Sequence, residues 1–156
     1  MSREDAYNGA VGSMSMYGGL FQSIVKELGM EKALGMHAKQ GETFGDEFGK
    51  VLKTQLGGKK LDVKALNKAM MPMMSSFGFD MEVKENPKSL VLKISKCPMY
   101  DGFKMAGLNH ETIEKMCSAM SKAEYASIKS HYPELEGRVK FRESPNGSCQ
   151  EEFVLK

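Results

Sequence analysis

The sequence predicts an α+β domain, with helices first and then two β-hairpins joined by a helical crossover. Three observations carry this. Apolar residues recur at helical spacing up to Gly78, then alternate with polar ones from Phe79 onward. Two turn signals, Asn86-Pro87-Lys88 and Pro145-Asn146-Gly147, each lie between alternating runs. Between those runs lies a long helical stretch opened by Asn109. One antiparallel sheet covered by helices on one face satisfies all three.

The elements follow in order. "MYGGLFQSIVKELG" places Met16, Leu20, Ile24 and Leu28 on a helical stripe, with Gly29 as its stop. "MEKALGMHAKQGETFGDEFGKVLKTQLGG" restarts the pattern through Leu34, Phe44, Phe48, Val51, Leu52 and Leu56. Gly41, Gly45 and Gly49 recur every four residues there and line one face, which admits another backbone or a ligand. Asp62 caps a third helix, in which Pro72 sets a kink and Gly78 the end. Residues 79–95 form the first hairpin, with Phe79, Met81 and Val83 against Leu90, Leu92 and Ile94. "YDGFKMAGL" is a short helix. Residues 109–131 form a long one with the stripe Ile113, Met116, Cys117, Met120 and Ile128.

Residues 138–156 form the last hairpin. A type I turn with Gly147 left-handed would pair Ser144 with Ser148, Glu143 with Cys149, Phe141 with Glu151 and Val139 with Phe153. Val139, Phe141, Glu143, Cys149, Glu151, Phe153 and Leu155 then share the core face. Two carboxylates and a thiol on such a face are costly unless paired or used. The opposing reading is that the strand ends fray and both glutamates reach water.

Composition bounds the function. The chain of 156 residues is one domain's length, and its hydrophobic fraction of 41% is ordinary for a globular protein. A balance of 22 basic against 20 acidic residues is too even for nucleic-acid binding. No apolar run is long enough to span a membrane, and "MSREDAYNGA" is no secretory signal. Three cysteines, an odd number, argue against a secreted disulfide framework and for reduced thiols in a cytoplasm. The 14 methionines read first as adaptable core filler, and second as a soft metal site or pliable binding surface. No His-x-x-x-His, Cys-x-x-Cys, nucleophile-elbow or phosphate-loop pattern is present.

The candidate site residues are the thiols and their neighbours. Cys97 follows an apolar strand, and strand alternation puts it off the Leu90–Leu92–Ile94 face unless the chain bends at Pro98. Cys117 lies on the apolar stripe of its helix, and Cys149 on the core face of the last hairpin. They either pack as small hydrophobes or converge with Glu143 or Glu151 on a pocket. Of the histidines, His110 suits a helix start and His131 a helix end, while His37 shares its helix with the glycine face. By alternation, Arg138 and Arg142 point away from Cys149.

"KCPMYDGFKMAGLNHETIEKMCSAM" together with "HYPELEGRVKFRESPNGSCQEEF" resembles the L-2-amino-thiazoline-4-carboxylic acid hydrolase-like family. The likeness rests on Cys97-Pro98, Tyr100, Cys117, Cys149 and Phe153, strongest over the last 60 or so residues. The outline is also similar to vinyl-reductase-type small-ligand sensor domains, some of which hold zinc, although the cysteine pair flanking their last turn is missing here. The resemblance implies a hydrolase that opens a small cyclic amidine-like ring at a C–N bond, acting as a homodimer. For that reaction the chain offers Cys117, Cys149 and, from its place on the hairpin's core face, Glu143 as catalytic candidates. His37, Gly41, Gly45, Cys97, Tyr100 and Glu151 are the ligand-binding candidates. Zinc or iron on Cys117 and Cys149 is the cofactor alternative. A binding domain without turnover, or an accessory subunit with a purely structural core, are the alternative functions.

Overall fold

The computed structural model describes residues 2–156. Among them, helices α1 (Arg3–Leu28), α2 (Met30–Leu56) and α3 (Val63–Ser76) precede strands β1 (Asp80–Asn86) and β2 (Ser89–Lys96). Helices α4 (Pro98–Met105) and α5 (His110–His131) follow, and strands β3 (Leu135–Lys140) and β4 (Cys149–Leu155) close the order. The strands form one antiparallel sheet in the order β1-β2-β4-β3. The α+β expectation therefore holds, with both hairpins in a single sheet.

The helix ends obey local chemistry. Asp62 accepts from the Ala65 amide at 2.7 Å and Asn109 from the Thr112 amide at 2.9 Å, each satisfying a donor that the first helical turn leaves free. Gly29 separates α1 from α2 at φ 84°, a backbone conformation that glycine adopts without strain.

Two expectations change. Helix α1 begins at Arg3, and its buried residues are Tyr7, Val11, Gly18 and Phe21. Met16, Leu20 and Leu28 stay exposed, Met16 at 82%. Short residues on the true inner face concealed it: Gly18 lies against Phe103, Ala106 and Leu108, where a side chain would not fit. The second hairpin is also longer-looped than expected. Val139 pairs with Glu151, Gly137 with Phe153 and Leu135 with Leu155, a shift of two residues from the expected register. Gly147 is not left-handed; its amide donates to the Ser144 carbonyl at 2.9 Å, which closes a turn inside the 141–148 connection.

A two-residue shift preserves the faces, because side chains alternate with period two. Leu90, Leu92, Ile94 and Phe153 are buried on the inner face, while Lys93, Ser95 and Gln150 face outward and are exposed. Helices cover the inner face, and the core runs from Phe21 and Phe48 through Leu66 and Phe103 to Met116 and Phe153.

Helices α2 and α5 pack in parallel through the glycine row. A methyl group on Gly41 would strike the Met120 carbonyl, one on Gly45 the Glu124 carbonyl, and one on Gly49 the His131 ring at 2.5 Å. The repeat of four on α2 matches a repeat of four on α5. Gly41 and Gly45 therefore contact a neighbouring backbone and leave no room for a ligand. Their effect is to set the height of the Met120–Glu124 turn above the sheet.

Candidate functional site

Glu151 stands mid-sheet. Its cross-strand neighbours are Leu92 on β2 and Val139 on β3, so its carboxyl emerges from an apolar surface. Glu124 comes from the facing side. It follows Cys117 by seven residues and Met120 by four, which puts all three on one face of α5. Between helix and sheet lies a cavity of about 60 Å³. Its polar lining comprises Glu124, Glu151, His37, Ser121, Tyr100 and the three thiols, Cys97, Cys117 and Cys149. A second cleft of about 210 Å³ adjoins it, sharing Phe79, Met99, Met120, Glu124 and Glu151. The carboxyl pair thus borders both spaces.

No lysine or arginine among the described residues lines either space. That shapes the electrostatics. Burial, and then repulsion from Glu151, pushes Glu124 up to about 8. Burial pushes Glu151 up to about 7, with the Tyr125 hydroxyl pulling the other way. Both residues are only partly exposed, and the protein crowding around each carboxyl governs its proton. The Tyr125 ring comes from α5, next to Glu124, and lies edge-on to Phe153 at 5.5 Å and over Gly137, where a methyl group would meet the ring at 2.5 Å.

His37 is 2% exposed. Its Nδ1 shares a hydrogen bond with the Tyr17 hydroxyl at 2.9 Å, while Nε2 is buried without a partner among the described residues. The Met116 carbonyl lies close enough to favour the charged ring, but burial outweighs it and lowers the pKa. His37 is therefore a neutral imidazole beside the cavity. Tyr100 shares a hydrogen bond with His110 Nδ1 at 2.8 Å. His110 is thus tied to Tyr100 and Phe141 rather than free at a helix start. His131 Nε2 reaches Asp46 at 2.7 Å and ties the end of α5 to α2.

The thiols do share one cavity. Cys97 returns to the core because the chain turns into α4 at Pro98 immediately after it. Burial pushes Cys97 up to about 12 and Cys117 upward as well, so both remain thiols at neutral pH and are weak nucleophiles. Cys149 accepts from Arg142 Nε at 3.5 Å. This corrects the expected orientation of Arg142. Strand β3 stops at Lys140, so alternation no longer governs residue 142. Its guanidinium is buried, stacks on Tyr100 at 4.3 Å and donates to the Pro145 carbonyl at 3.4 Å. One of its terminal nitrogens has no partner among the described residues. Arg138 is exposed and pairs with Glu136 at 3.2 Å.

Two expected roles find no place. Glu143 lies past the end of β3, with its side chain 83% exposed and paired with Lys140 at 3.0 Å, outside the cavity. The alternative of zinc or iron on Cys117 and Cys149 lacks a ligand set: among the described residues no three His, Cys, Asp or Glu side chains are grouped to hold a metal ion. Sequence reasoning missed Glu124, although its spacing from Cys117 and Met120 marks it. It also missed the burial of Arg142. Among the described residues, no helix is long and apolar enough to cross a membrane.

The model of the L-2-amino-thiazoline-4-carboxylic acid hydrolase family matches residues 13–141. The match takes in most of α1 and ends before β4, so it is broader at the N-terminal side than the resemblance read from the last 60 residues. It includes Glu124 but not Cys149 or Glu151. No curated protein matches the sequence.

Proposed function

The chain belongs to the L-2-amino-thiazoline-4-carboxylic acid hydrolase family, and from that premise we propose that it hydrolyses a C–N bond of a small cyclic amidine-like substrate at the Glu124–Glu151 pair. The observation that carries the reading is the pair itself. Two facing carboxyls, held near neutral pKa values by burial, suit a general acid and a general base working at neutral pH.

Glu151, the more acidic of the two, takes a proton from water as its oxygen bonds to the amidine carbon. Glu124, still protonated, gives its proton to the ring nitrogen. As the tetrahedral carbon collapses, the C–N bond breaks and Glu151 returns its proton to the departing nitrogen. The hydroxyl proton passes to Glu124, the carbonyl forms, and both carboxyls are restored. For a 2-aminothiazoline the product is a thiocarbamate bearing a free amine. The inner cavity of 60 Å³ has room for about two water molecules at roughly 30 Å³ each, held by its polar lining. His37 and Ser121 line the same space and offer further partners for water or for the developing oxyanion.

The test is incubation with L-2-aminothiazoline-4-carboxylate and with unsubstituted 2-aminothiazoline, read by mass and by thiol and amine assays. Expected is a gain of one water with a new amine and no new thiol, lost in Glu151→Gln and Glu124→Gln. A product carrying a free thiol would move the cleavage to the C–S bond. Absence of turnover on both compounds would refute the reading. Ligand capture without turnover is the second reading, favoured by the methionine-lined cleft beside the pair, since methionine walls adapt to varied ligands.

A further inference from the structure

Beside the carboxyl pair, the 210 Å³ cleft is walled by Met14, Met73, Met74, Met99 and Met120 with Phe44, Phe77, Phe79, Ala10 and Pro98. Its polar lining consists of Glu124 and Glu151 alone. Phe77, in its lining, is 41% exposed. A group held by the carboxyls therefore has an otherwise apolar wall around it. Arg142, the buried guanidinium nearest the inner cavity, lines neither space and is already engaged with Tyr100, Cys149 and Pro145.

We infer that the ligand is a cation with an apolar tail: an amidine, isothiourea or related head seated on Glu124 and Glu151, with a hydrocarbon substituent along the methionine cleft. The inference rests on the amidine-like head proposed above and adds what the rest of the molecule must be. The charge argument is one of complementarity. Carboxylates buried without a cation are costly, and an amidine-type head that takes up the Glu124 proton becomes an amidinium, which supplies the missing charge with two N–H donors matched to carboxylate oxygens. At about 30 Å³ for each water-sized group, the cleft has room for roughly seven such groups, so a tail of about six carbons fills it. Methionine suits this wall because its unbranched thioether repacks around chains of differing shape.

Isothermal titration with an S-alkyl isothiourea series, from S-methyl through S-hexyl to S-decyl, tests the proposal on the full chain, with hexanoate and octanoate as anionic probes of the same length. Affinity should rise about three- to fourfold per added methylene, as burying one CH₂ predicts, and level off near six carbons. Met73→Gln should flatten the chain-length dependence. Glu151→Gln should weaken every member of the series by a similar factor. Circular dichroism of each variant establishes that it is folded. Equal binding of the carboxylates, or affinity that does not change with chain length, would overturn the inference. Length-dependent binding without any turnover of the ring substrates would sustain it while refuting hydrolysis. Turnover of 2-aminothiazoline with no length dependence would do the reverse.

Discussion

Replacing Glu151 by glutamine should stabilise the protein at alkaline pH and change little in acid. The carboxyl is raised from 4.5 to about 7 by burial, so the folded chain holds this proton more tightly than the unfolded chain does. Its favourable contribution is complete below pH 4.5, fades as pH rises, and is gone above about pH 7, where the folded protein must carry the buried anion. At ~1.4 kcal/mol per tenfold change, the ionised site costs roughly 3 kcal/mol. Water drawn into the cavity will screen part of this, leaving about 2–3 kcal/mol to be recovered by the neutral, nearly isosteric amide. For a chain of this size, 1 kcal/mol moves the melting temperature by about 2–4 °C, so the gain at pH 9 is roughly 5–10 °C. Removing the anion also relieves Glu124 of its repulsion, which acts in the same direction. Thermal melts followed by circular dichroism at pH 5 and pH 9 measure the difference. A Glu151→Gln variant that melts lower than the parent at pH 9, or by the same increment at both pH values, would show that the carboxyl is paired or solvated and that the cavity argument is wrong.

Gly41→Ala should cost about 3 kcal/mol or more in urea unfolding despite alanine's better helix propensity, because the methyl group meets the Met120 backbone on α5, which cannot rotate away; a neutral or stabilising result would refute the glycine contact. Tyr17→Phe should cost roughly 1–2 kcal/mol by leaving His37 Nδ1 buried without its partner, again read by denaturant unfolding. In native protein at pH 8, Cys97 and Cys117 should resist iodoacetamide and become labelled only on unfolding, as mass spectrometry of the peptides would show, since burial raises both thiols. If hydrolysis occurs as proposed, kcat/KM should follow a narrow bell with limbs near pH 7 and 8, the values to which the two carboxyls are pushed.

The elements were legible in the sequence wherever local chemistry decides them. Asp62, Asn109 and Gly29 mark helix boundaries because caps act over three or four residues. The change of period at Phe79 marks the first hairpin for the same reason. Helix α1 was misread because its inner face is partly glycine and tyrosine, residues that an apolar stripe does not include. The last hairpin slipped because the turn in 144–147 was taken as a tight hairpin turn, whereas Phe141 and Arg142 turn off the strand and pack near Tyr100. Glu151 was placed on the core face even so, since a slip of two preserves faces. Glu143 was placed there too, and lies beyond the strand's end. Glu124 escaped notice because a charged residue on an apolar stripe is discounted by the very pattern that reveals the stripe. The glycine row was seen as a surface of close approach, but spacing alone does not say whether a backbone or a ligand comes near.

Strand β4 follows all three other strands in the chain, yet it lies between β2 and β3 in the sheet. Before its residues are made, the β1–β2 ribbon and β3 have no shared edge to pair along. Helices α2 and α5 can find each other earlier through the glycine row, so Glu124 reaches its position while the opposite wall is still missing. Glu151 arrives with the strand that joins the two parts, and its partners on β2 lie some 60 residues back. Such pairing across long separations is slow compared with helix formation. During synthesis the protein therefore passes through a state in which one edge of β2 has no strand beside it, and one late strand, carrying a carboxyl in its middle, closes that edge and completes the cavity in a single step.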